Sequence, residues 1–306
     1  MIKKVMLGGN LFYYAINKKN TNRLLDQSFD YGINAIDTAN VYSNGNSEKY
    51  IGEYLTKKKN RSKWIIASKF GVAAGWKTEL PGDYLATKKK IFKEIDSSLK
   101  RLKTDYIDIY QIHHYDRYTP VEETLEAINK IKKNGKIKNF GVSNYNKSQI
   151  NSYLKKSKKK IIYSNQVEIN LLNQNKFSDN EFQDKIKLIA YGVFSQGLIS
   201  ERYLKNKSKL SFRAKRSIKI KSGINYNLIK KLEVLQNFAD MKDSTIGELA
   251  LNFTMNKNNL LYTIVGVRTD KQLLTIKNYK DLKIKNIEWK KLLYELNNKN
   301  EKVYNI

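Results

Sequence analysis

Four titratable side chains stand out because each falls where a short β-branched run of the chain stops. Asp37 ends one run, Tyr42 follows closely, Lys69 ends the next, and His113 lies just past the one after. A carboxylate, a phenol, an ammonium and an imidazole are groups that proteins use to hold and move protons. Hydrogen-bonding side chains recur at similar places further on. Ser143 and Asn144 follow a fifth run, Gln166 lies inside a sixth, Tyr191 ends a seventh, and Gly266, Val267 and Arg268 follow an eighth. Each has a duller explanation when seen alone. An Asp at a strand end is more often a helix cap, a Tyr near a rim usually packs, and one Lys among so many carries little information. The combination is what counts.

The elements that must carry these residues can be read from periodicity. The β-branched runs are 5–7, 35–37, 64–69, 107–112, 137–142, 163–168, 186–191 and 262–265. Amphipathic segments lie between them. Ile91, Ile95, Leu99 and Leu102 share one helical face, as do Val121, Leu125 and Ile128, and Leu228, Leu232 and Leu235. Three capping boxes are expected: Thr119 to Glu122, with Pro120 at the first helical position, Thr245 to Glu248, and Thr269 to Gln272. Eight strands alternating with helices predict an α/β fold, a closed (β/α)8 TIM barrel. An open doubly wound sheet would want a glycine-rich turn after its first strand, and Gly8-Gly9-Asn10 is too short for that. In a barrel, chemistry gathers at the C-terminal ends of the strands, where the residues above fall.

The 306 residues are expected to form a single barrel over 1–306. A long loop at about 192–224 would cover a cofactor, and a helical tail would occupy about 287–306. There is no cysteine, which excludes a disulfide framework, an iron–sulfur cluster and thiol catalysis. The two histidines are adjacent, so no metal-ligand set has plausible spacing. No Ser/His/Asp arrangement has the glycine-flanked elbow of a hydrolase. No apolar run approaches the roughly 20 residues of a membrane span, and the first residues do not read as a signal peptide. A cytoplasmic protein without a membrane partner is expected. The net charge of +29 raises the question of nucleic acid. The lysines are spread through nearly every segment rather than gathered on one face, so no specific nucleic-acid partner is expected.

Taken in order, several of these segments resemble one family. Residues 32–39 (Gly-Ile-Asn-Ala-Ile-Asp-Thr-Ala) with Tyr42 look like the first signature of the aldo-keto reductases. Ser68-Lys69 resembles their lysine motif, Tyr110-Gln111-Ile112-His113 their histidine motif, and Gly141-Val142-Ser143-Asn144 their second signature. The resemblance runs from Leu7 to about Tyr279. The opening 8–12 and the segment 116–124 are similar to the bacterial, aldose-dehydrogenase-like branch.

The resemblance implies an NADP-dependent oxidoreductase, with NAD as a possible cofactor, acting on a small aldehyde, ketone or sugar. It assigns Tyr42 as general acid, Lys69 as the ammonium that stabilises its phenolate, Asp37 as the partner of Lys69, and His113 as the residue orienting the substrate oxygen. Tyr has an ordinary pKa of ~10, so such help is needed near neutrality. It further implies that Ser143, Asn144 and Gln166 bind the nicotinamide carboxamide, and that Tyr191 stacks on the ring. Gln196, Gly197 and Leu198 match the pyrophosphate loop, although Gly192-Val193-Phe194 replaces the family's usual Ser-Pro-Leu. Gly266, Arg268 and Gln272 match the adenosine side, where Arg268 before a helix start suits a 2′-phosphate. Thr275-Ile276 departs from the family's Glu-Asn. Candidate substrate loops are 10–17, 71–84, 114–118 and 191–222, with Trp76 and His114 as pocket residues. His113 and His114 are expected on opposite faces of their strand. A second reading is a binding module that acts through a partner protein, as potassium-channel β subunits do.

Overall fold

The computed structural model describes residues 4–72, 85–157, 161–173, 186–200, 204 and 226–298. Eight parallel strands close into a barrel in chain order: β1 (Val5–Gly8), β2 (Ala35–Asp37), β3 (Ile65–Phe70), β4 (Ile107–Ile112), β5 (Ile137–Ser143), β6 (Ile162–Glu168), β7 (Lys187–Tyr191) and β8 (Leu260–Val265). All eight expected runs are strands, displaced by no more than two residues at either end. Every residue of β4 is buried, as a barrel strand covered on both faces requires. Burial on both faces removes the need for an apolar–polar alternation, and polar side chains such as Asp108 and Gln111 in β4 are buried with the rest.

Helices among the described residues are α1 (Lys18–Asp30), α2 (Asn46–Lys58), α3 (Lys88–Leu102), α4 (Val121–Lys133), α5 (Lys147–Lys156), α6 (Tyr226–Asp240), α7 (Ile246–Met255), α8 (Asp270–Lys277) and α9 (Asn286–Asn298). Ile91, Ile95 and Leu102 of α3 are fully buried, as the periodicity predicts. The long connection after β7 falls largely on residues outside those described. α9 falls within the first part of the expected tail, and residues 299–306 lie outside the described residues.

The capping expectations fared unequally. The Thr245 box forms in full: the Thr245 hydroxyl accepts from the Glu248 amide at 3.1 Å, and Glu248 accepts from the Thr245 amide at 3.0 Å. The Thr269 box is half made. Its hydroxyl accepts from the Gln272 amide at 3.3 Å, but the Gln272 side chain turns to the Arg268 amide, at 2.8 Å. The Thr119 box does not form. Pro120 is the N-cap, so the helix starts one residue later than expected, and the Thr119 hydroxyl instead donates to Asp116 Oδ2 at 2.6 Å. The helix begins at Val121, one residue too late for Thr119 to cap it, and the Thr119 hydroxyl and amide both donate to Asp116.

The chain divides into two compact units. The first comprises Met1–Val167, Asp179–Ile189 and Asn258–Lys277 and carries most of the barrel. The second comprises Glu168–Ser178, Ala190–Lys257 and Asn278–Ile306, and includes α6, α7 and α9. Within the second unit Trp289 of α9 packs against Phe238 and Phe253. The Asn252 side chain accepts from the Tyr279 hydroxyl and the Leu282 amide, both at 3.0 Å, and donates to the Lys280 carbonyl at 2.9 Å.

Candidate active site

Asp37 pairs in register with Ala67, two residues before Lys69. Successive strand side chains alternate, so Asp37, Ala67 and Lys69 share one face. The Gln166 side chain of β6 reaches Asp37 on β2, at 2.8 Å. Side chains of strands that are not neighbours can meet only across the interior, so this shared face is the lumen.

Lys69 is fully buried, and its ammonium is saturated with partners. Nζ lies 2.8 and 2.7 Å from the two Asp37 carboxylate oxygens, 3.0 Å from the Thr38 carbonyl and 3.3 Å from the Tyr42 hydroxyl. Burial alone would push the Lys69 pKa down. The Asp37 charge, followed by Tyr42, outweighs it and holds the pKa above the ordinary lysine value. The ammonium is therefore retained in a site with no water contact.

Tyr42 stands at the head of a short 3-10 turn, Tyr42–Gly45, that joins β2 to α2. Its ring is half-buried and meets the His113 ring edge-on, with centroids 5.8 Å apart. His113 is buried, and its backbone amide continues the β4 ladder by donating to the Phe70 carbonyl at 2.8 Å. Burial, then the Lys69 charge and then His114, hold the His113 pKa well below the usual histidine value. The imidazole at this position is neutral, with one ring N–H to donate and one nitrogen to accept. The expected separation of the two histidines is not seen. Their rings lie nearly parallel, 7° apart, with centroids at 5.2 Å. Strand alternation ends at Ile112, and the chain bends at 113–114, so the two side chains turn the same way.

Ser143 and Gln166 are register partners on β5 and β6. Asn144 follows Ser143 with φ of 59°, donates its backbone amide to the Gln166 carbonyl at 2.8 Å and its side-chain amide to Ser143 Oγ at 3.1 Å. The three residues expected around a carboxamide thus sit together at the barrel rim. Gly266 follows β8, and exposed Arg268 precedes α8, its amide held by exposed Gln272.

Tyr191, Gln196, Gly197 and Leu198 belong to the second unit. Tyr191 ends β7, half-buried, and its carbonyl accepts from the Ile169 amide at 3.0 Å. Ser195–Gly197 form a tight turn with φ of 44°, 57° and 94°. The amides of Gly197 and Leu198 are used within it, on the Phe194 and Ser195 carbonyls at 2.8 and 3.1 Å. Trp76 lies outside the described residues.

The sequence model of the Aldo/keto reductase family matches residues 4–293. The chain belongs to that family. It is 35% identical over 145 residues to aldo-keto reductase YhdN of Bacillus subtilis, which covers 47% of this chain and 43% of YhdN. It is 32% identical over 189 residues to the oxidoreductase YqkF of the same organism, 61% of this chain and 60% of YqkF. These matches therefore span about half the length of those relatives. A putative voltage-gated potassium channel subunit beta of Schizosaccharomyces pombe is 26% identical over 283 residues, 88% of this chain and 81% of that protein. Among solved structures, the glycerol dehydrogenase AKR11B4 from Gluconobacter oxydans superposes with a TM-score of 0.79 at 23% identity, covering 96% of this chain and 91% of that one. AKR11C1 from Bacillus halodurans in its holo form gives 0.77 at 24% identity, again over 96% and 91%. Both show the same fold.

Two polar features of this aldo/keto reductase escaped the sequence reading. One is the Gln166–Asp37 bond, for which a linear sequence holds no signal. The other is Glu48, wholly buried on α2. It shares the inner helical face of Ile51 and Leu55, so a carboxylate in an apolar stripe was the available clue. Among the described residues, no group of three or more His, Asp or Glu could hold a metal, and no helix is long and apolar enough to cross a membrane.

Proposed function

We propose that the protein is an NADP-dependent oxidoreductase that interconverts a carbonyl and an alcohol on a small aldehyde, ketone or sugar. The observation that carries this reading is the contact of the Tyr42 hydroxyl with a lysine ammonium that Asp37 keeps charged inside the barrel. The donor set suits a nicotinamide dinucleotide. Ser143, Asn144 and the Gln166 amide at the rim would hold the carboxamide, and Arg268 before the α8 N-terminus would meet a 2′-phosphate, which favours NADP over NAD.

When bound, the reduced nicotinamide supplies a hydride to the carbonyl carbon. The oxygen then gains negative charge and needs a proton. Tyr42 donates it, and the phenolate left behind is stabilised by Lys69 at 3.3 Å. Asp37 keeps the ammonium in place, and solvent restores the phenol proton. His113, neutral and facing Tyr42, hydrogen-bonds the same substrate oxygen and fixes its approach. In the oxidative direction Tyr42 takes the alcohol proton as a base. The loop after β1 exposes Tyr13 and Tyr14, and the Phe12 carbonyl accepts from Ser43 beside Tyr42 at 3.2 Å. Aromatic faces beside this turn suit a hydroxylated substrate.

The similarity to a channel β subunit along 88% of the chain favours a second reading, a cofactor-binding module that acts through a partner. Mixing the protein with NADPH and then with a panel of aldehydes, ketones and sugars separates the two. Fluorescence that changes on mixing and decays with substrate supports the enzyme. Binding with no turnover supports the module. In an active enzyme, Tyr42→Phe should slow single-turnover hydride transfer by roughly 10²–10⁴ while NADPH binding persists. A rate within about threefold of wild type would refute the role of Tyr42.

A further inference from the structure

Tyr42 and Lys69 come from different elements, and something must hold their polar atoms at 3.3 Å. Lys69 is fixed from within the lumen by Asp37 and Thr38. Tyr42 heads a turn with three successive residues in left-handed backbone: Ser43, Asn44 and Gly45, at φ of 52°, 53° and 83°. Ser43 and Asn44 lack the freedom of glycine, so the turn stays in place only if its surroundings hold it.

The hold lies on the outer face of β3. Ser68, just before Lys69, points away from the lumen. Its hydroxyl donates to Glu48 Oε1 at 2.5 Å, and Arg101 Nε of α3 donates to Glu48 Oε2 at 2.6 Å. The Glu48 side chain is 0% exposed. Arg101 also passes directly beneath the turn, since a Cβ on Gly45 would lie 2.6 Å from Arg101 Cδ. One carboxylate thus joins α2, six residues after Tyr42, to β3 at the neighbour of Lys69, and both to α3. Burying a carboxylate is costly, and apolar packing of similar volume stabilises a core as well or better. Ile51 and Leu55, on the same face, are packed in that way. A charge here answers to geometry.

We propose that Glu48, with Ser68 and Arg101, is a positioning residue that sets the distance between the Tyr42 hydroxyl and the Lys69 ammonium. Glu48 acts from outside the barrel and touches no substrate. The inference rests on the roles given to Tyr42 and Lys69 above.

The test uses the full chain with Glu48→Gln and the milder Ser68→Ala, each made in the wild-type and the Tyr42→Phe backgrounds. Single-turnover hydride transfer, KM for a carbonyl substrate and Kd for NADPH are measured in all of them. Glu48→Gln should slow hydride transfer by roughly ten- to a hundredfold, with KM and Kd within about twofold of wild type. In Tyr42→Phe the same change should slow nothing further, because its effect passes through the phenol. Ser68→Ala should follow the same pattern to a smaller degree and decides the matter if Glu48→Gln does not fold. Equal slowing in both backgrounds, or an unchanged rate in the wild-type background, overturns the proposal alone. A Tyr42→Phe rate equal to wild type removes the role of Tyr42 and the proposal with it.

Discussion

The side-chain amide of Gln166 donates to Asp37 Oδ1 at 2.8 Å, linking residues 129 positions apart across the barrel. Both are buried, at 4% and 3% exposure. Asp37 Oδ1 therefore accepts from Lys69 and Gln166 together. A residue expected to serve only the nicotinamide also contacts the Asp37–Lys69 ion pair, whose ammonium lies 3.3 Å from the Tyr42 hydroxyl.

This dual contact makes Gln166→Leu informative. It should weaken NADPH binding and also lower kcat at saturating NADPH. A hydrogen bond to a charged group contributes ~1.5–3 kcal/mol, or roughly ten- to a hundredfold. Binding measured by fluorescence and turnover measured at saturation separate the two effects. A change in Kd with kcat intact would show that the Asp37 bond has no catalytic weight.

Lys69 should mark the alkaline limit of stability. Its folded pKa lies above the unfolded value of 10.5. The folded state therefore holds its proton more tightly, and the stabilisation is complete below 10.5 and lost as pH rises through the folded pKa. Denaturation monitored between pH 9 and 12 should show a fall that Lys69→Met lacks. Lys69→Met should also be less stable by ~3–5 kcal/mol near neutrality, since Asp37 is left buried without its cation. Any residual turnover should move to higher pH, because the phenolate loses its neighbour. A wild-type pH profile in this variant would show that Lys69 does not tune Tyr42.

His113 should stay neutral through mild acid. Its pKa is depressed in the fold, so its contribution to stability is present above the ordinary 6.5 and is lost as pH falls toward the folded value. Histidine NMR titration should place one of the two imidazoles well below 6.5. His114→Ala should raise the His113 pKa, because the stacked neighbour both covers it and adds to its depression. His113→Ala should lower kcat for every substrate tried. An ordinary histidine titration at position 113 would contradict its burial beside Lys69.

Arg268 tests the cofactor preference. Exposed just before α8, it should contribute severalfold to NADPH affinity and little to NADH affinity. Arg268→Ala should narrow the ratio of the two Kd values, measured by fluorescence at fixed ionic strength. Equal losses for both cofactors would remove the 2′-phosphate assignment.

Much of this protein is legible in one dimension. Strand and helix periods are local properties, so all eight strands could be located from runs of a few residues. The Thr245 box is equally local and forms as read. Asp37, Lys69 and His113 fall at or just past strand ends and Tyr42 in the turn after β2, and closure of the barrel brings those ends to one rim. The pairing of polar groups was decided otherwise. Gln166 meets Asp37 because β6 faces β2 across the lumen, which only barrel closure determines. Glu48 finds Ser68 and Arg101 because α2 lies against β3 and α3. His113 and His114 stack because the backbone bends where the strand period ends, and Thr119 caps no helix because the helix starts one residue later, with Thr119 tied to Asp116. A hydrogen bond is chosen among all groups within about 3 Å. Sequence spacing says which residues are neighbours along an element, and only the folded chain says which are neighbours in space.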